Sequence, residues 1–85
     1  MFTKELFGVR LKETRLKAGE TQADLAEILH INKSRISEIE KGVASTTPEK
    51  VAMICQHYQV SADYLLGLSD DPCLYKGEEE KGPLV

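Results

Sequence analysis

Between Asn32 and Gly42 the chain reads Lys33, Ser34, Arg35, Ile36, Ser37, Glu38, Ile39, Glu40, Lys41. The chemistry these residue types offer is hydrogen bonding to another surface. Wound as a helix at about 100° per residue with Ile36 inward, the segment turns Ser34, Ser37, Glu38 and Lys41 outward and sets Lys33 and Arg35 at the flanks. None of these six is apolar. Lysine and arginine donate to the guanine edge, serine donates or accepts, and glutamate accepts from the cytosine amine, so the face suits the major groove of duplex DNA. The same face also reads as an ordinary solvated helix surface, with Arg35 and Glu38 three apart as an ion pair. Spacing alone leaves both readings open.

Other reactive side chains do not assemble into a site. His57 follows Cys55 by two, a spacing that points the two in different directions on a helix, and no further ligands stand near, so no metal is expected. Cys55 sits on a core-facing stripe where a small residue is expected, and Cys73 reads as an exposed thiol. Two cysteines without ligand spacing fit a reducing compartment better than a secreted disulfide framework. No acid and base pair, phosphate-cradling glycine loop or Ser/His/Asp set is present, so binding is expected rather than catalysis, with no cofactor. The apolar run of residues 6–9 is cut by Arg10 and Lys12 and does not make a signal peptide or a membrane span. The expected setting is therefore the cytoplasm.

The elements that must position the polar face follow from start and stop signals. Thr3 opens a helix over Lys4–Lys17 with Phe7, Leu11 and Thr14 on one face, stopped by Gly19. Thr21, with Asp24 three positions on, opens a second helix that buries Leu25, Ala26 and Leu29 and ends near His30. Asn32 caps the third, whose inward residues are Ile36, Ile39 and Glu40, and Gly42 closes it. Thr47 and Pro48 start a fourth with Val51, Ile54, Cys55 and Tyr58 inward, and Ser61 caps a short fifth carrying Leu65 and Leu66. Helices of two or three turns do not persist alone in water, so the second and third must be fixed by packing on the others. From residue 68 onward the glycines, prolines and the run Glu78, Glu79, Glu80 give no period and read as a mobile tail.

The 85 residues, 41% hydrophobic and 29% charged, fit one small domain. The net charge of −3 taken alone disfavours a nucleic-acid partner, yet its distribution removes the objection. Residues 1–67 carry nine Lys or Arg against nine Asp or Glu, whereas residues 68–85 carry two against five, so the excess acidity lies in the tail.

Residues 21–26, Thr-Gln-Ala-Asp-Leu-Ala, and residues 34–42, Ser-Arg-Ile-Ser-Glu-Ile-Glu-Lys-Gly, resemble the Cro and repressor type of helix-turn-helix, the XRE family. Residues 7–17 are similar to the family's first helix and residues 60–67, Val-Ser-Ala-Asp-Tyr-Leu-Leu-Gly, to its last. The resemblance implies an all-α fold: a five-helix lambda-repressor-like DNA-binding domain over residues 1–67, followed by a disordered acidic C-terminal tail over residues 68–85. It implies a sequence-specific transcriptional regulator, a repressor, that reads the major groove of double-stranded operator DNA with residues 32–41 as a homodimer. Carried over by position, Gln22 bonds a phosphate and orients the reading helix; Lys33, Ser34 and Glu38 match positions that touch base edges, Ser37 and Arg35 lie close enough for a base or phosphate contact, and Asn32 and Lys41, the latter near a phosphate, complete the expected DNA-binding set. Arg15 and Glu40 match an internal salt bridge between the first and third helices.

Departures from the family pattern lie at His30 and Gln59, where relatives usually have glycine, and in the loop of residues 43–46, which lacks the usual lysine or arginine. The first two predict side chains held at positive φ, and the third predicts modest binding per subunit. Two other functions compete. One is a DNA-binding antitoxin whose residues 68–85 fold onto a basic protein partner; the other is a helix-turn-helix that docks only protein.

Overall fold

The structure, a computed structural model, describes residues 1–73; residues 74–85, which hold most of the expected tail including Glu78, Glu79 and Glu80, lie outside the described residues. Within it α1 runs Lys4–Lys17, α2 Gln22–Leu29, α3 Lys33–Glu40, α4 Pro48–Tyr58 and α5 Ala62–Leu65. The architecture is all-α. Each helix begins on a side-chain oxygen that accepts from its exposed first amides: Thr3 from Leu6 N at 3.0 Å, Asn32 from Arg35 N at 2.8 Å, Thr47 from Lys50 N at 3.2 Å, and Ser61 from Asp63 N at 3.1 Å. At α2 the bond is reciprocal, because Asp24 N donates to Thr21 while Thr21 N donates to Asp24. Caps of this kind contribute about 1 kcal/mol each, a large share for helices this short.

The core gathers Phe7 and Leu11 of α1, Leu25 and Leu29 of α2, Ile36 and Ile39 of α3, Ile54 of α4 and Leu65 of α5. On α1 the inward stripe differs from the expected one. Thr14 is half-buried, with its hydroxyl donating to Arg10 O at 2.7 Å, and the buried residue of that turn is Arg15. Val51 and Tyr58 of α4 likewise reach only the margin of the core, while Cys55 is inside it.

His30 and Gln59 adopt left-handed conformations at φ 59° and 58° and end α2 and α4. After each, the next amide reaches back five residues, Ile31 N to Ala26 O at 3.1 Å and Val60 N to Cys55 O at 3.2 Å. That closure needs positive φ, which glycine adopts without a Cβ penalty. Replacing His30 by glycine is therefore expected to raise stability by about 0.5–1 kcal/mol, read as a higher melting temperature. A lower one contradicts the account.

The chain does not leave the domain at Gly67. Arg10 donates to Ser69 O at 2.8 Å, to Tyr64 O and to Asp70 at 2.9 Å, and its guanidinium lies over the Tyr64 ring at 4.1 Å. Ser61 N donates to Pro72 O at 3.0 Å, and Val60 pairs with Cys73 in an isolated antiparallel bridge. Residues 68–73, read from composition as the start of a mobile tail, thus return along α1 and α5. One guanidinium thus joins α1 to the carbonyl of Tyr64 in α5 and to that of Ser69 beyond it. Among the described residues no helix is long and apolar enough to cross a membrane.

Candidate nucleic-acid interface

The helix α3 buries Ile36, Ile39 and Glu40 and leaves Lys33, Ser34, Arg35, Glu38 and Lys41 exposed. Ser37 lies half-buried at the margin of this face. Asn32 precedes it with its amide oxygen accepting from Arg35 N, which leaves its NH2 group and the oxygen's second lone pair to meet a ligand. Arg35 Nη1 donates to Glu38 Oε1 at 3.3 Å, with both side chains 53% exposed. Solvent reduces such a pair to a few tenths of a kcal/mol, so it is easily exchanged for other partners. Lys41 stands at the end of the helix, beside the uncharged loop of residues 43–46.

What fixes this face lies beneath it. Arg15 Nε donates to Glu40 Oε2 at 2.7 Å and Nη2 to Oε1 at 3.1 Å, a two-pronged pair with side chains 7% and 3% exposed. The remaining prong, Nη1, donates to Glu20 O at 2.7 Å. The hydrogen bond to Glu40 holds Arg15 protonated more firmly than an ordinary arginine, against the opposing effect of burial. Planar guanidinium against carboxylate is the ion pair whose geometry best withstands desolvation.

Gln22, the first residue of α2, donates from Nε2 to Glu40 Oε1 at 3.1 Å and is half-buried. The expected phosphate-docking residue and the expected salt bridge are therefore one network that joins α1, α2 and α3. An amide has two N–H groups and a carbonyl, so one bond to Glu40 leaves Gln22 able to meet a second partner. Neither the Gln22–Glu40 bond nor the Arg15–Glu20 bond was legible in the sequence. The signal was an acidic residue on a core-facing stripe, which demands more than one donor.

Gly8 brings α1 and α3 together. A Cβ added there would meet Ile39 O, and Glu40 O at 2.6 Å, so the α1 backbone rests directly on the last turn of α3. His57 and Cys55 are not brought together as ligands: Cys55 is in the core, its thiol harder to ionise through burial, while His57 Nε2 meets Glu20 Oε2 at 2.8 Å.

Comparison with known proteins matches this geometry. The helix-turn-helix family model matches residues 11–65. The HTH-type transcriptional regulator ImmR of Bacillus subtilis (strain 168) is 42% identical over 60 residues, covering 71% of this chain and 47% of that one. YobD of the same organism, described as an uncharacterized HTH-type transcriptional regulator, is 36% identical over 63 residues, covering 74% and 56%. The chain thus spans about half the length of the curated relatives it matches. Among solved structures, the P22 c2 repressor in complex with a synthetic operator superposes with a TM-score of 0.69 at 27% identity, covering 74% of this chain and 96% of that one. The clp gene regulator ClgR from Corynebacterium glutamicum gives 0.69 at 28% identity, covering 76% and 69%.

Proposed function

Because this chain belongs to the helix-turn-helix family, we propose that it is a sequence-specific DNA-binding transcriptional regulator, a repressor, which works in the cytoplasm as a homodimer. The observation that carries the reading is the polar outer face of α3, held rigid from below by Arg15, Glu40 and Gln22. A helix of this width enters a major groove about 12 Å across, and side chains locked by buried partners keep their register there. Lys33 and Ser34, at the start of α3, meet base edges, and Glu38 accepts from a cytosine amine. Arg35 and Lys41 meet phosphates, and Gln22 with the first amides of α2 clasps another. The role is binding; no catalytic step is proposed.

Pairing of subunits supplies the affinity one domain lacks. Residues 1–67 have no net charge and the loop after α3 has no cation, so the phosphate contribution of each copy is small. Two copies on half-sites about 34 Å apart, one turn of duplex, combine their contacts. That the P22 c2 repressor was solved on an operator supports the same partner for this chain.

Sequencing of genomic fragments retained by the purified protein tests the reading. Enrichment of a paired motif with one-turn spacing, and affinity that falls steeply with salt, is the expected result. Flat or absent binding overturns it and favours docking to protein alone. In the same assay Glu38→Ala is expected to raise affinity for non-specific duplex and relax preference at one base position, since a carboxylate opposes every phosphate but rewards one base. Unchanged selection across a randomised library would rule out that role for Glu38.

A further inference from the structure

The turn between α1 and α2, residues 18–21, is exposed at Ala18, Gly19 and Thr21. Gly19 has φ 76° with open space where a Cβ would sit. Glu20 alone of the four turns inward. Its Oε1 accepts from Tyr58 OH at 2.7 Å and its Oε2 meets His57 Nε2 at 2.8 Å, while its carbonyl oxygen accepts from Arg15 Nη1 at 2.7 Å. His57 and Tyr58 themselves pack edge to face, 4.6 Å between ring centres. One residue thus ties the end of α4, through both carboxylate oxygens, to the arginine that holds α3.

Two positions on, Gln22 begins α2. We propose that Glu20 is a positioning residue for DNA docking: it holds the turn from which Gln22 and the first amides of α2 are presented, so that the docking end is ordered before DNA arrives. The inference rests on the DNA-binding reading above. The turn's backbone is held by Gly19 N to Leu16 O, Glu20 N to Arg15 O and the Thr21–Asp24 capping box, and the Glu20 carboxylate adds its tie to α4. Losing that tie loosens a turn of which three of four residues are exposed, and reordering it on association subtracts from affinity. The carboxylate is suited to the task because it stays ionised: burial alone would raise its pKa, but hydrogen bonds from His57 and Tyr58 outweigh this and lower it. Tyr58 OH correspondingly holds its proton far more firmly than a free phenol, through burial and the bond to Glu20, and so remains a donor.

The test is a cycle of variants read by fluorescence anisotropy on the duplex that the wild-type chain selects, at a temperature where circular dichroism shows each variant folded. Glu20→Ala is expected to weaken binding about tenfold, the loss that follows from reordering roughly one residue of backbone. Glu20→Gln, which keeps the size and the acceptor for Tyr58 but not the charge, is expected to restore part of it. Because Glu20 acts through the docking end, of which the Gln22 side chain is one part, Glu20→Ala combined with Gln22→Ala is expected to lose less affinity than the two single losses together, whereas independent effects add in free energy. Wild-type affinity in Glu20→Ala, additive losses, or a Glu20→Gln as weak as the alanine variant would each overturn the proposal. Should Glu20→Ala fail to fold, Tyr58→Phe removes one hydroxyl and keeps the ring, and is expected to show the same non-additivity with Gln22→Ala. Absence of salt-dependent binding by the wild-type chain would overturn the functional reading itself, and the proposal with it.

Discussion

Replacing Glu40 by alanine is expected to lower folding stability by about 3–5 kcal/mol, the loss that follows when one partner of a buried ion pair is removed. Arg15 would keep its charge in a site where its side chain is 7% exposed, with two of its three hydrogen-bonding prongs unmatched. Gln22 would lose its bond to Glu40 as well. A domain of this size has about 0.05–0.15 kcal/mol of stability per residue, so the variant would stand close to unfolding at 25 °C. Urea denaturation measures it directly. The pair is not required for stability as such: Arg15→Met with Glu40→Leu, which removes both charges and fills the space, is expected to be markedly more stable than Glu40→Ala. A loss under 1 kcal/mol for Glu40→Ala would mean that water reaches Arg15, contrary to its burial.

Gly8→Ala is expected to destabilise the fold by about 1–3 kcal/mol, the range for forcing extra volume into a packed contact. Helix propensity alone gives the opposite sign, since glycine inside a helix is worse than alanine by about 1 kcal/mol. Propensity loses because the added carbon would stand against Ile39 O, and 2.6 Å from Glu40 O, both backbone atoms that yield only if α3 moves away from α1. The Arg15–Glu40 pair spans the same two helices, so the displacement would strain it too. Thermal denaturation decides the sign, and an increase in melting temperature would show that the helices can part at little cost.

Gly8 also marks where sequence reasoning stops. Thr3, Thr21, Asn32, Thr47 and Ser61 were legible as caps because a cap is a bond between near neighbours, and its residue type and spacing suffice to place it. The stripes of α2 and α3 were legible for the same reason, their burial following a period of 3.6 residues. Thr14 was misplaced because adjacent positions on α1 flank the line through Phe7 and Leu11 almost equally, and burial of Arg15 rather than Thr14 depends on Glu40, 25 residues away. Arg10 against residues 64–70, and Glu20 against His57 and Tyr58, join segments 37 to 60 residues apart and leave no local period. In the candidate interface the outward residues of α3 followed from periodicity, whereas Arg15 with Glu40 came from resemblance. The bond from Gln22 to Glu40 needed the packed helices themselves.

The contact between Arg35 and Glu38 bears on how this chain would acquire a new target. Two positions that neutralise each other in the free protein are not independent letters of a recognition code. Under the proposed DNA reading, a substitution at 38 also releases a cation one turn away that is then available to any duplex, and a substitution at 35 leaves a carboxylate with nothing to temper its repulsion of phosphates. If α3 reads DNA as proposed, the two positions are weakly coupled, and libraries built to redesign the helix should randomise 35 and 38 as one unit.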